Sequence, residues 1–276
     1  MLSLGDMVKR SKPSLFWCMR GIAKAQREAV FTVFAFCQHL SRVLRSDMQV
    51  ADKYEVLKSW REELDNIYDK KVPATNIGRK IYKNCIRFDL PKVAWLQILD
   101  AAFWEVEKSA QAPDDEAFEN YITGMAITPM HLVLMILNSE HPRANQELSK
   151  ALGRSVMITY ILRAVKSDAK RNRVYIPASL LQKIGVQSTT PRSVVEDKNL
   201  MYARAELAEV AESDFNKAER LLSKMNKTQT LPLRLLLNTS RALFDIMKKR
   251  GWEIISPKPN LNLGRRIVIL YRTIFG

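Results

Sequence analysis

The side chains whose types and spacing could handle an anion lie close together between residues 159 and 177: Arg163, Arg173 and Tyr175 as donors, and Asp168 as the ligand of a bridging cation. A hard cation such as Mg²⁺ takes oxygen ligands in near-octahedral geometry, usually one or two carboxylates plus phosphate oxygens and water. Positions 164 and 168 lie one turn apart on the same face of a helix, where two carboxylates would share one cation. This chain has Ala164 and Asp168 there, which is half of such a pair. Guanidinium forks, by contrast, bind phosphate oxygens without metal.

Thr159, Arg163, Asp168, Arg173, Tyr175 and Pro177 keep the register of the pattern Q-L-T-N-I-L-R-D-V-x-E-D-A-x-x-G-R-x-Y-L-P. The segment therefore resembles the second metal and diphosphate motif of the squalene/phytoene synthase family. Met157, Tyr160, Ala164 and Ser167 stand where that family has Gln, Asn, Asp and Glu, so Asp168 is the one charged ligand left. Upstream, Ser14, Trp17 and Arg20, then Arg27 to Cys37, are similar to the family's entry helix. An aspartate-rich D-D-x-x-D should come next, and the chain has Ser41, Arg42 and Arg45 at those positions. Asp47 is no substitute: on a continuing helix it would point about 240° round from position 41 and about 200° round from position 45.

The likeness extends along most of the chain. Trp60-Arg61-Glu62-Glu63-Leu64-Asp65, Arg87-Phe88 with Leu90-Pro91, Tyr121 with Ala126, Arg241 with Asp245, and Arg250-Gly251-Trp252 are similar to motifs of the family. Several of these resemble its bacterial presqualene diphosphate branch in the hopanoid pathway. The departures are Ile127 and Met130 for two glycines, and Ser240 for a tyrosine.

Composition points the same way. With 47% hydrophobic residues the chain can bury a substantial core. Nine glycines and eleven prolines leave long uninterrupted stretches. Amphipathic or buried helices are predicted over 51–69, 92–108, 115–138, 144–170, 200–225 and 231–250, with prolines, Pro232 among them, marking the joints. The expected fold class is all-α: one domain over 1–276, a helical bundle of the isoprenoid synthase type with a central cavity, as the resemblance implies. The apolar run 125–137 is shorter than the about 20 residues a membrane span needs and reads as a core helix. The first six residues lack the apolar stretch of a secretory signal.

Cys18, Cys37 and Cys85 are odd in number and sit on apolar helical faces, as expected of packed thiols in a reducing cytosol. His39, His131 and His141 have no ligand spacing. The net charge of +15 attracts anions such as diphosphates or anionic lipid. No zinc or recognition-helix pattern accompanies it, so no specific nucleic-acid partner is expected. The expected location is cytoplasmic, with peripheral attachment to an inner membrane open.

The resemblance implies coupling of two prenyl diphosphates, farnesyl or geranylgeranyl, in isoprenoid and terpenoid biosynthesis, with Mg²⁺ ionising one of them. It also implies that Ser14, Tyr121, Arg163, Arg173 and Tyr175 contact diphosphate or shape its pocket. Asp168 and Tyr121 are then the catalytic candidates, Asp168 the metal ligand candidate, and Arg42 with Arg45 a further basic lining or simply an exposed charged stripe. Three readings compete: a pseudoenzyme that keeps a prenyl diphosphate, lipid or protein partner, the family having a similarly eroded relative among mitochondrial complex I assembly factors; an active Mg²⁺-dependent prenyltransferase; or a purely structural interaction protein.

Overall fold

The structure, a computed structural model, describes residues 18–19, 21–107, 111–138, 141–186 and 188–276. Ser14 lies outside the described residues. Among those residues the helices are α1 Lys24–Arg45, α2 Val50–Tyr68, α3 Asn76–Phe88, α4 Lys92–Glu107, α5 Asp115–Ile122, α6 Thr128–Leu137, α7 Pro142–Ala169, α8 Ala178–Lys183, α9 Pro191–Glu196, α10 Leu200–Ser223, α11 Lys227–Arg250 and α12 Leu263–Phe275. Among the described residues, regular structure is otherwise limited to an isolated parallel bridge between Gln111 and Val174 and a single π turn.

The apolar faces meet in two clusters. One gathers Phe36 and Leu40 of α1, Leu64 of α2 and Trp95 of α4, with Phe36 edge-on to Trp60 and Trp95 at 5.1 and 5.4 Å. The other gathers Leu152 and Ile161 of α7, Phe215 of α10 and Phe244 of α11. Met125 and Val133 pack against both while keeping part of their surface accessible. Burying large aliphatic and aromatic side chains contributes on the order of 1.5–3 kcal/mol apiece, enough to hold such helices together where propensity alone would not.

α5 and α6 form one unbroken helical stretch through the π turn, Thr123–Ile127. It starts at Asp114, whose Oδ1 accepts the Ala117 N–H at 2.7 Å, with Asp115 and Glu116 in the first turn where the helix dipole favours acid. Together Asp115–Leu137 is long and apolar enough to cross a membrane by length and composition, but half of it is buried in the protein between α4 and α7. Gly153 of α7 makes that packing possible: a Cβ there would stand 2.8 Å from the Ile127 Cα.

The structure corrects several sequence expectations. Pro232 does not mark a joint but lies buried inside α11, which begins five residues earlier, after the Asn226 cap. The lost N–H falls in the second turn, where it removes one intrahelical bond. Residues 76–88, unassigned from the sequence, form α3 because Thr75 caps the Gly78 N–H and buried Glu63 accepts from the Ala74 and Thr75 amides. Glu63 is thus a loop anchor. α1 stops at Arg45, so Asp47 lies beyond the helix and the angular argument does not apply to it; among the described residues it joins no cluster of three metal-ligating side chains.

Candidate functional site

Tyr121, Tyr175, Arg173 and Asp168 converge from different parts of the chain onto a polar region bordered by α1, α4 and α7. Its floor is buried. Tyr121 donates to Glu105 Oε2 at 3.0 Å and stacks on the Tyr175 ring, with centroids 5.0 Å apart and an 18° interplanar angle. Arg173 pairs with the other Glu105 oxygen, and its second terminal nitrogen donates to the Leu44 carbonyl at 2.9 Å. Burial pushes the Tyr121 phenol well above its ordinary range, and the Glu105 carboxylate adds to the effect. Arg173 therefore ties the end of α1 to α4, and its fork is engaged by the protein.

Asp168 lies above this floor, near the C-terminal end of α7. It is 6% exposed, and its backbone carbonyl accepts from the Arg171 and Arg173 amides as the helix turns out. Burial raises its carboxyl to about 6, against the opposing pull of Lys258, Arg45 and Arg171. Those three cations are exposed and form a rim over it. Arg45 bonds to the Tyr160 hydroxyl, and its guanidinium lies 5.3 Å from the Tyr160 ring centroid. Lys258 Nζ lies 5.8 Å from the same ring. Burial and the neighbouring cations Arg163, Arg45 and Arg171 lower the Lys258 ammonium, while Asp168 works the other way.

The segment carrying Lys258 is held in place by arginines. Buried Arg204 of α10 donates to the carbonyls of Trp252 and Leu162, Arg250 to Pro257 at 2.9 Å, and Arg163 to Pro259 at 2.6 Å. Gly251, at φ 92°, makes the positive-φ turn that sends the chain back toward α7 after α11. Arg163 thus reaches the expected region but spends its Nε on a backbone carbonyl. Arg42 is exposed and acts on His39, whose imidazole burial and the Arg42 charge both lower; the charges that act on Asp168 come from Arg45 and the others named above.

Sequence reading missed four members of the site: Glu105, Tyr160, Lys258 and Arg171, the last inside the motif but assigned no role. Glu105 carried a signal: it continues the apolar face of Ile98 and Ala102 at helical spacing, an unusual place for a carboxylate. Tyr160 was read only as a lost amide, and Lys258 lies in an irregular segment with no local pattern. A cleft of about 780 Å³ between α11 and α12 is lined by Leu261, Val268 and Ile269 and by none of these residues.

The donor set does not fit Mg²⁺. Among the described residues no three His, Cys, Asp or Glu side chains gather where a cation could be held. Glu105 is committed to Arg173 and Tyr121, and Asp168 is surrounded mainly by cations. What the arrangement can do is hold an anion: four cations, Arg45, Arg163, Arg171 and Lys258, accompany Asp168, while the neighbouring Glu105 is paired with Arg173.

Residues 8–269 match the family described as squalene/phytoene synthase. The chain is 28% identical over 261 residues to the presqualene diphosphate synthase of Rhodopseudomonas palustris, covering 93% of this chain and 91% of that one. It is 24% identical over 201 residues to the NADH dehydrogenase (ubiquinone) complex I assembly factor 6 of Bos taurus, over 71% of this chain and 58% of that one. Among solved structures, a dehydrosqualene synthase in complex with ligand has the same fold, with a TM-score of 0.83 at 18% identity over 98% of this chain and 94% of that one.

Proposed function

The chain belongs to the squalene/phytoene synthase family, and from that membership we propose that it binds a prenyl diphosphate on its cationic rim without metal and does not ionise it. The observation that carries this reading is the convergence of Arg45, Arg171 and Lys258, from three separate segments, on Asp168. A diphosphate laid across them meets fixed positive charge and guanidinium forks, the groups that recognise phosphate oxygens. The prenyl chain would lie along Met125 and Val133, between the two apolar clusters.

Ionisation is a harder demand. The departing diphosphate must be stabilised as its charge grows, and losing one electrostatic group from such a site costs about 10²–10³ in rate. Ser41, Arg42, Arg45 and Ala164 stand at four positions where the family pattern has aspartate. The second reading, an active presqualene diphosphate synthase, is favoured by the 93% coverage of this chain in a match to one.

One experiment separates them. Farnesyl and geranylgeranyl diphosphate are added to the protein with Mg²⁺ or with a chelator, and the melting temperature and products are tracked together. The expected result is stabilisation in chelator and no coupled product. Replacing both Arg45 and Lys258 by Ala should abolish the stabilisation. Product that depends on Mg²⁺ would overturn the proposal in favour of the synthase, and absence of any stabilisation would overturn both.

A further inference from the structure

α12 carries a surface that the diphosphate reading does not use. At about 100° per residue, Leu263, Ile267, Tyr271 and Phe275 form one row within about 120° of the helix circumference, with Val268 at its border. All five are exposed, at 73%, 57%, 63%, 70% and 49%. The opposite face holds the helix to α11: Thr273 is buried and accepts from Asn238 at 2.9 Å, and Leu261, just before the helix, is buried as well. Scattered apolar side chains on a surface are ordinary, but five of the fourteen large exposed ones among the described residues fall on this 13-residue helix.

Charge identifies what the row meets. Arg272 and Arg265 lie about 60° and 80° beyond one edge of the row and Arg266 about 60° beyond the other, all three are exposed, and residues 254–276 contain Lys258, Arg265, Arg266 and Arg272 with no Asp or Glu. A second copy of this chain would bring arginines against arginines with no acidic partner in this segment, which opposes self-association through this face. We propose that α12 is an interfacial helix that lays this row into an anionic lipid bilayer, with Arg265 and Arg272 at the headgroups. Such helices bury their apolar face about 5–10 Å into the headgroup and acyl boundary and gain from anionic lipid. The site does not depend on whether the cationic rim binds a diphosphate.

The test is flotation of the full chain with vesicles of phosphatidylcholine alone or with about one third phosphatidylglycerol. Wild type should float with the anionic vesicles and be released as salt rises from about 0.1 to about 1 M, where the screening length falls from about 10 to about 3 Å. Ile267→Glu with Tyr271→Glu should lower partitioning about tenfold or more. Both side chains are more than half exposed, so the melting temperature should hold. Arg265→Glu with Arg272→Glu should remove the preference for phosphatidylglycerol, an arm that does not rely on the apolar substitutions. Wild type that fails to float, or a double glutamate variant that floats equally, would overturn the proposal. So would a lipid-free wild-type dimer that the glutamate variant splits, since the row would then face a second copy.

Discussion

A buried carboxylate ringed by cations, with Glu105 also within electrostatic reach, behaves unlike an ordinary ion pair. Asp168 is raised to about 6 because burial outweighs the pull of Lys258, Arg45 and Arg171. The native state therefore takes up a proton at a higher pH than the unfolded chain does, from an unfolded value of 3.8. This group favours the fold most below about pH 4, and that advantage is lost as pH rises through about 6. At 1.36 kcal/mol per pH unit the difference amounts to about 3 kcal/mol. Asp168→Asn, neutral at every pH, should melt above wild type at about pH 8 and close to it at about pH 4. Melting curves that stay parallel across that range would contradict the assignment. Glu105 shows the opposite arrangement: deeply buried, it is satisfied by Arg173 and Tyr121.

At the scale of elements, the site depends on how closely α7 approaches the π turn. π turns in otherwise regular helices often occur at functional sites, because the extra residue shifts the register of the turns after it. Here Gly124 and Gly153 let Thr123–Ile127 sit against α4 and α7, with Tyr121 just before it and Tyr160 two turns beyond Gly153. Gly153→Ala would press a methyl onto the Ile127 backbone and should cost about 1–3 kcal/mol despite the better helix propensity of alanine. Urea unfolding measures it; a stabilised variant would mean that the two segments can part without penalty. The segment after α11 is positioned differently, by arginine donors on backbone carbonyls, so Lys258 is placed by polar contacts from α7, α10 and α11.

Over the whole molecule the +15 charge acts as a field around a rim that is itself exposed. Binding of inorganic pyrophosphate to such a rim should weaken about tenfold or more between about 0.1 and 1 M salt, as the screening length shortens from about 10 to about 3 Å. Calorimetric titration at the two salt levels checks this, and an affinity indifferent to salt would locate the anion in a buried pocket instead. The same field serves the α12 face, where four basic and no acidic residues lie within 254–276.

By itself the sequence determined the family, the all-α class and the helices at 92–107 and 200–223 to within a residue or two, because apolar spacing and motif register are local properties. It also grouped Asp168, Tyr121, Arg173 and Tyr175 as candidates through the register they share with the family, and the structure brings Tyr121, Arg173 and Tyr175 into contact. Only the tertiary structure decided which charges meet. Lys258 is 90 residues from Asp168, and Glu105 is 68 from Arg173 and pairs with it across the site. Coulomb interaction and desolvation depend on distance and burial, and neither is written in spacing along the chain. The same holds for Arg42 and Arg45: alike in sequence, they part company in the fold, Arg45 lying over Tyr160 of α7 and Arg42 acting on His39, one turn earlier in its own helix.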